Sequence, residues 1–172
     1  MLRRSKTDHS KSDSKKSGAA AAPGANGAIS VLIVNDDADA CELLSRVIEH
    51  TGTVAYRSNG GEEALTELDD HGGSIAGVVL DFSSGTATSL SVLEEIRHHH
   101  GVGHPAVMII ATTDANRTLA FDTGVDEFLT RPFHVNEFTS AVGAMLARSP
   151  EEREAHRQHE ILAGRGLTDL ED

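Results

Sequence analysis

From Ile29 onward, short apolar runs alternate with longer stretches in which apolar residues recur every three or four positions. The runs Ile29–Val34, Ile75–Phe82 and Ala106–Ile110 are continuous and give way to polar or turn-forming residues, the pattern of strands buried on both faces of a parallel sheet. Two weaker β-prone runs, Thr53–Arg57 and Val125–Thr130, complete a set of five. Between the strands, spacing predicts a first helix from about Ala38 to His50, with Cys41, Leu44, Val47 and Ile48 on one face and Gly52 just past its end. A second helix over Glu62–Asp70 uses Ala64, Leu65 and Leu68 and stops at Gly72-Gly73. Thr88–His99 carries Leu90, Val92, Leu93 and Ile96, and Asn116–Asp122 forms a short fourth helix. His134–Arg148 presents Val135, Phe138, Val142, Met145 and Leu146. Regular strand–helix alternation of this kind predicts an α/β fold, a parallel sheet with helices on both faces.

The flanks follow other rules. Residues 1–28 are polar, then Ala/Gly/Pro-rich, without apolar periodicity, and read as a disordered basic leader. Residues 149–172 open with Ser149-Pro150-Glu151-Glu152, which supplies an N-cap, proline at the first helical position and acids in the first turn. They predict a short helix to about Ala163 that packs lightly on the domain or waits for a partner, then a frayed acidic end. The expected organisation is therefore a leader (1–28), one domain (29–148) and a helical tail (149–172), which suits a chain of 172 residues.

Charge refines this picture. The net charge of −12 conceals an asymmetry, +4 over residues 1–28 and −16 over the rest, where all nine basic residues are arginine. An acidic body without a basic face argues against direct nucleic-acid binding. The chain has no apolar run long enough to span a bilayer and no apolar core after its basic start, so neither membrane insertion nor a secretory signal is expected. The lone Cys41 fits a reducing, cytoplasmic setting, and its helical spacing from Leu44 and Ile48 marks a buried, inert thiol.

Candidate chemistry gathers at the strand ends. In Gly77-Val78-Val79-Leu80-Asp81-Phe82 a carboxylate follows an apolar run, where open α/β sheets collect ligands. Asn35-Asp36-Asp37 follows the first strand, and Ala111-Thr112-Thr113 follows the fourth. Carboxylates from separate strands meeting at one edge suit a hard divalent cation, Mg²⁺ above all. The cluster His98-His99-His100 with His104 has irregular spacing and lies at the opposite end, so it reads as a solvated helix terminus. No G-x-G-x-x-G follows the first strand and no P-loop occurs, which excludes nucleotide-binding readings. The stretch from Asp81 to Thr86 matches the haloacid-dehalogenase D-x-D-G-T motif only in part, because Ser83 stands where that chemistry needs an acid/base aspartate.

Taken together, the acidic residues after strand 1, Asp81 after strand 3, a hydroxyl residue after strand 4 and a late run resemble the receiver domain of two-component response regulators. The late run, Thr123-Gly124-Val125-Asp126-Glu127-Phe128-Leu129-Thr130-Arg131-Pro132-Phe133, is the most specific piece and is similar to the family's A-G-A-D-D-Y-L-x-K-P-F. The resemblance covers roughly residues 29–148. It implies a flavodoxin-like, doubly wound five-stranded parallel sheet in the order 2-1-3-4-5. It implies that Asp81 accepts a phosphoryl group from a histidine kinase or phosphotransfer protein. Mg²⁺ would be held by Asp36, Asp81, the backbone carbonyl of Ser83 and water, with Asn35 in water-mediated contact. Thr112 would hydrogen-bond one phosphate oxygen and Arg131 would pair with another. Phe128 would report the position of Thr112 to the surface of helix 4, strand 5 and helix 5, where a downstream protein binds.

The chain departs from the family pattern at named positions. Asn35 stands at the first acidic position and Asp36 at the second; a one-residue slip would make Asp36 and Asp37 the pair. Losing one negative charge lowers the expected metal affinity. Arg131 replaces the family's lysine, and a planar guanidinium is not a compact ammonium. Gly85-Thr86 and Thr88-Ser89 replace Pro-Gly and Asp-Gly, so a looser loop is expected. The interval from Thr112 to Arg131 is about one helical turn short, which trims helix 4 and leaves Thr112 or Thr113 as the switch hydroxyl. Two functions stay open: a stand-alone phosphorylated switch, in which no DNA-binding helix-turn-helix follows residue 148, and a pseudo-receiver that acts as a phosphorylation-independent interaction module.

Overall fold

The computed structural model describes residues 27–71, 73–99 and 104–168. Five strands, β1 (Ser30–Val34), β2 (Val54–Ser58), β3 (Ile75–Leu80), β4 (Ala106–Ala111) and β5 (Glu127–Thr130), form a parallel sheet in the order β2-β1-β3-β4-β5. The described helices are α1 (Ala38–Glu49), α2 (Gly61–Asp70), α3 (Thr86–His98), α4 (Arg117–Thr123), α5 (Val135–Ala147) and α6 (Pro150–Thr168). The expected disordered leader lies outside the described residues except for its last two, as do Gly72, His100 and the acidic end at 169–172.

Strand register produces a core on each side of the sheet. Side chains alternate faces along a strand, and the pairings Leu32↔Val78, Val34↔Leu80, Val78↔Val107 and Leu80↔Ile109 carry that alternation across β1, β3 and β4. One face buries Val31, Ile33, Val79, Met108 and Ile110 against α1 and α5 through Cys41, Ile48, Phe138 and Met145. The other buries Leu32, Val34, Val78, Leu80 and Ile109 against α2, α3 and α4 through Leu68, Leu93, Ile96 and Phe121. With both faces covered, the central strands have no polar side to present, which is why they read as unbroken apolar runs. Cys41 sits in this core, and burial pushes its thiol above the usual value. Among the described residues no helix is long and apolar enough to cross a membrane.

Most boundaries agree with the spacing to within two residues, and three differences have a physical cause. α3 begins at Thr86 rather than Thr88 because Gly85, at φ 104°, turns the chain straight from the strand end into the helix. β5 begins at Glu127 rather than Val125 because Asp126 is held by side-chain bonds just ahead of the ladder, its buried carboxylate accepting from Arg97 and from Val107 N. α6 reaches Thr168, past the expected end near Ala163. Among its described side chains one is buried: Ile161 enters the core beside Phe121, and Glu160 pairs with Arg117 of α4.

Candidate functional site

Because β1 pairs with β3 and β3 with β4, the residues that follow these strands meet at one edge of the sheet. Backbone bonds fix them there. Asp81 N donates to Val34 O at 2.9 Å, Asn35 N to Ser58 O at 3.0 Å, and Arg131 N to Ala111 O at 2.8 Å, so each residue prolongs its ladder by one step. A cavity of about 220 Å³ opens at this edge, lined by Asn35, Asp37, Asp81, Ser83, Thr112 and Arg131 among others.

Asp81 is 5% exposed at its floor. Its Oδ2 accepts Asn35 Nδ2 at 2.8 Å and also Arg131 Nη2. Among the described residues no donor engages its Oδ1. Asn35 Oδ1 accepts from Asp37 N at 2.8 Å, which orients the amide so that its donor faces Asp81. The acidic stretch after β1 therefore divides three ways. Asn35 touches Asp81. Asp36 is exposed, and its two oxygens accept Ser83 N and Ser83 Oγ at 2.7 Å each. Asp37 caps α1, accepting from Asp39 N and Ala40 N, so the slipped Asp36–Asp37 pair would take a carboxylate already committed to a helix end. Of the two candidate hydroxyl residues, Thr112 lines the cavity and Thr113 is not among its lining residues. Phe128 lies elsewhere, 3% exposed in the core with the Arg117 guanidinium 5.6 Å above its ring.

The site is electrostatically tense. Burial pushes the Asp81 carboxyl above the ordinary carboxylate value, the hydrogen bond and charge of Arg131 pull it down, and Asp36 and Asp37 push it further up. Asp36 is held low by the Ser83 N–H and hydroxyl. A carboxyl whose pKa is raised on folding favours the fold when protonated and loses that contribution as pH rises through the folded pKa. At neutral pH the Asp81 charge therefore costs stability. Asp81→Asn is expected to stabilise the fold by about 1 kcal/mol near pH 7, since Arg131 is 42% exposed and loses little with its partner. That gain should fade as pH falls through the raised Asp81 pKa and be gone by the ordinary carboxylate range, about 4, where the group is protonated in the folded and the unfolded chain alike. Thermal melts of both proteins across this range provide the check; a gain that stays constant with pH would contradict charge as its source.

Sequence reasoning considered Asp37 only as a member of a slipped acidic pair and not as the cap of α1, although an Asp immediately before a helical run is a capping signal. It also passed over Asp114, whose Oδ1 accepts Thr130 Oγ1 and so ties the β4–α4 loop to β5. The histidine cluster stays apart from the cavity: His98 Nδ1 meets Glu94 O, and His99 Nε2 meets Asp69 at 2.9 Å. Among the described residues no three His, Cys, Asp or Glu side chains group as metal ligands.

A family model for the response regulator receiver domain matches residues 31–143. The chain is 33% identical over 139 residues to a transcriptional regulatory protein CpxR homolog of Haemophilus influenzae, a match that covers 80% of this chain and 59% of that protein. It is 30% identical over 123 residues to the DNA-binding response regulator MtrA of Mycobacterium leprae, covering 71% of this chain and 53% of the relative. The chain thus spans between half and three-fifths of the length of these relatives. A crystal structure of a putative response regulator from Chloroflexus aurantiacus superposes with a TM-score of 0.60 at 24% identity, over 70% of this chain and 99% of that one, a likeness of fold alone.

Proposed function

The chain belongs to the response regulator receiver domain family, and on that premise we propose that Asp81 accepts a phosphoryl group from a histidine kinase or phosphotransfer protein. The observation that carries this reading is the convergence on one buried carboxylate: Asn35 and Arg131 donate to Oδ2 of Asp81, its Oδ1 meets no donor among the described residues, and Thr112 and Ser83 line the same cavity. In the reaction an Asp81 oxygen attacks phosphorus, the bond from phosphorus to the donor nitrogen breaks, and an acyl phosphate forms. Arg131 and the Thr112 hydroxyl each donate to a phosphoryl oxygen, and catalysis is chiefly positioning and charge neutralisation.

Receiver domains as a family bind Mg²⁺ at this position. The donor set supports the same here, for Mg²⁺ is commonly held by one or two carboxylates with waters and substrate phosphate, without an all-protein cage. Asp36 and Asp81 would supply the carboxylates and Ser83 its carbonyl; Asp36 already lies against Ser83. When bound, the ion neutralises charge on the phosphoryl oxygens. Asn35 contributes no charge, so a weak site is expected. Output runs through a protein surface near Phe128; the acidic body, −16 over residues 29–172, favours a protein partner over nucleic acid. The lone, buried Cys41 supports a cytoplasmic setting.

Incubation of the full chain with acetyl phosphate and Mg²⁺, followed by intact mass, tests the proposal. The expected result is a Mg²⁺-dependent gain of one phosphoryl group that disappears in Asp81→Ala. No gain under forcing conditions would replace it with the pseudo-receiver reading, an interaction module that keeps the fold without the switch.

A further inference from the structure

α6 lies along α4 and meets the start of β5. Near its beginning, Arg157 pairs with Asp126, Arg153 stands 3.6 Å from the same carboxylate, and Arg148, just before the helix, pairs with Glu127 at 3.0 Å. Midway, Ile161 is 7% exposed in the core that holds Phe121 and Phe128, and Glu160 Oε2 accepts Arg117 Nε at 3.0 Å. Towards the end, Gly164 is so close to Thr118 that a Cβ would collide with it, and Arg165 reaches Asp122 at 3.4 Å. The α4–β5 face is thus covered by the chain's own helix. Among its described side chains only Ile161 is buried; the Glu160–Arg117 and Arg165–Asp122 pairs are partly exposed and contribute little each, while Arg153 and Arg157 hold the first half of the helix to the buried Asp126. Elements with few buried apolar contacts open well below global unfolding.

Arg117 joins this cover to the site. Besides Glu160, its guanidinium donates to Phe128 O at 3.3 Å, lies over the rings of Phe121 and Phe128 at 5.5 and 5.6 Å, and stands 3.9 Å from Asp114. Asp114 is bonded to Thr130 and lies two residues after Thr112 on the cavity wall.

We propose that α6 is a releasable cover on the α4–β5 face and that its docking is coupled through Arg117 to the loop bearing Thr112. A protein partner for this face competes with α6: it presents an aliphatic side chain where Ile161 sits and a carboxylate where Glu160 meets Arg117. The trigger rests on the phosphoacceptor reading. Thr112, drawn towards a phosphoryl group, shifts residues 112–116, misaligns Arg117 with Glu160 and loosens α6.

Hydrogen exchange on the full chain tests this in wild type, Ile161→Asp and Glu160→Gln, none of which alters a residue at the cavity. In wild type, α6 amides should exchange at least about 100-fold faster than those of β1 and β3. Release of α6 in Ile161→Asp should speed exchange in α4 and residues 112–116 about tenfold, with α1, α2 and α5 unchanged, because coupling acts in both directions. If Ile161→Asp does not fold, Glu160→Gln must give the same pattern with smaller changes. Wild-type α6 exchanging in step with β1 and β3, or its release without any change in residues 112–116, would overturn the proposal. A further arm adds acetyl phosphate and Mg²⁺ with intact mass recorded. Phosphorylated chain with unchanged α6 exchange overturns the coupling and leaves the phosphoacceptor reading standing. Absence of uptake counts against that reading, while the comparison of variants still decides cover and coupling.

Discussion

Asp126→Ala is expected to lower the stability of the fold by about 3–5 kcal/mol, the loss associated with breaking a buried ion pair from one side. Asp126 is completely buried. Its Oδ2 accepts Arg97 Nη2 and Val107 N at 2.8 Å each, and its Oδ1 pairs with Arg157. Arg97 also donates to Gly124 O and Pro105 O, so one guanidinium fixes the end of α3, the start of β4 and the approach to β5. Burial already pushes Arg97 below its usual pKa, with Asp126 as the main opposing influence. Alanine would leave three largely buried cations, Arg97, Arg153 and Arg157, and the Val107 N–H without this acceptor. Against a typical total of about 5–15 kcal/mol, that is a large fraction. Urea unfolding is the measurement. Arg97→Met in the alanine background should recover part of the loss, since one stranded charge is removed; a cost below about 1 kcal/mol for Asp126→Ala alone would contradict the clamp.

Asn35→Asp is expected to tighten Mg²⁺ binding by roughly tenfold to a hundredfold. The reason is the 2.8 Å contact between Asn35 Nδ2 and Asp81 Oδ2 in a space where both residues are nearly inaccessible to water. Aspartate would exchange that attraction for two facing carboxylates. At about 4–5 Å and an effective dielectric of about 20, their repulsion is on the order of 3–4 kcal/mol before relaxation or proton uptake. A divalent cation relieves it, and the relief appears as affinity. The same substitution should lower the melting temperature without metal and return it when Mg²⁺ is added. Calorimetric titration of both proteins decides: equal affinities would show that Asn35 does not stand beside the metal position.

The two substitutions differ in how visible their targets were beforehand. Asn35 was recognisable as a departure because it follows the apolar run of β1 where an acid was expected. Its hydrogen bond to Asp81 was not recognisable, since that depends on which side the amide presents once β1 and β3 pair. Asp126 lay within the motif that carried the resemblance, but its partners Arg97 and Arg157 come from α3 and α6, and no spacing rule links them to it.

Unaided, the chain's residue pattern determined the strand–helix alternation, the two-sided burial of the central strands and the gathering of Asp81, the residues after β1 and the hydroxyls after β4 at one edge. Those features rest on periodicity and turn chemistry, which act over a few neighbouring residues and are written along the chain. Tertiary structure alone decided the rest: that Asp36 would bind Ser83 while Asp37 capped α1, that Thr112 and not Thr113 would line the cavity, and that α6 would lie on α4. Each of these is a contact between groups brought together from separate elements, with Arg117 and Glu160 separated by 43 positions. Such contacts depend on distance and angle after packing, and side chains of the same type at the same sequence positions would form different pairs on a differently packed surface.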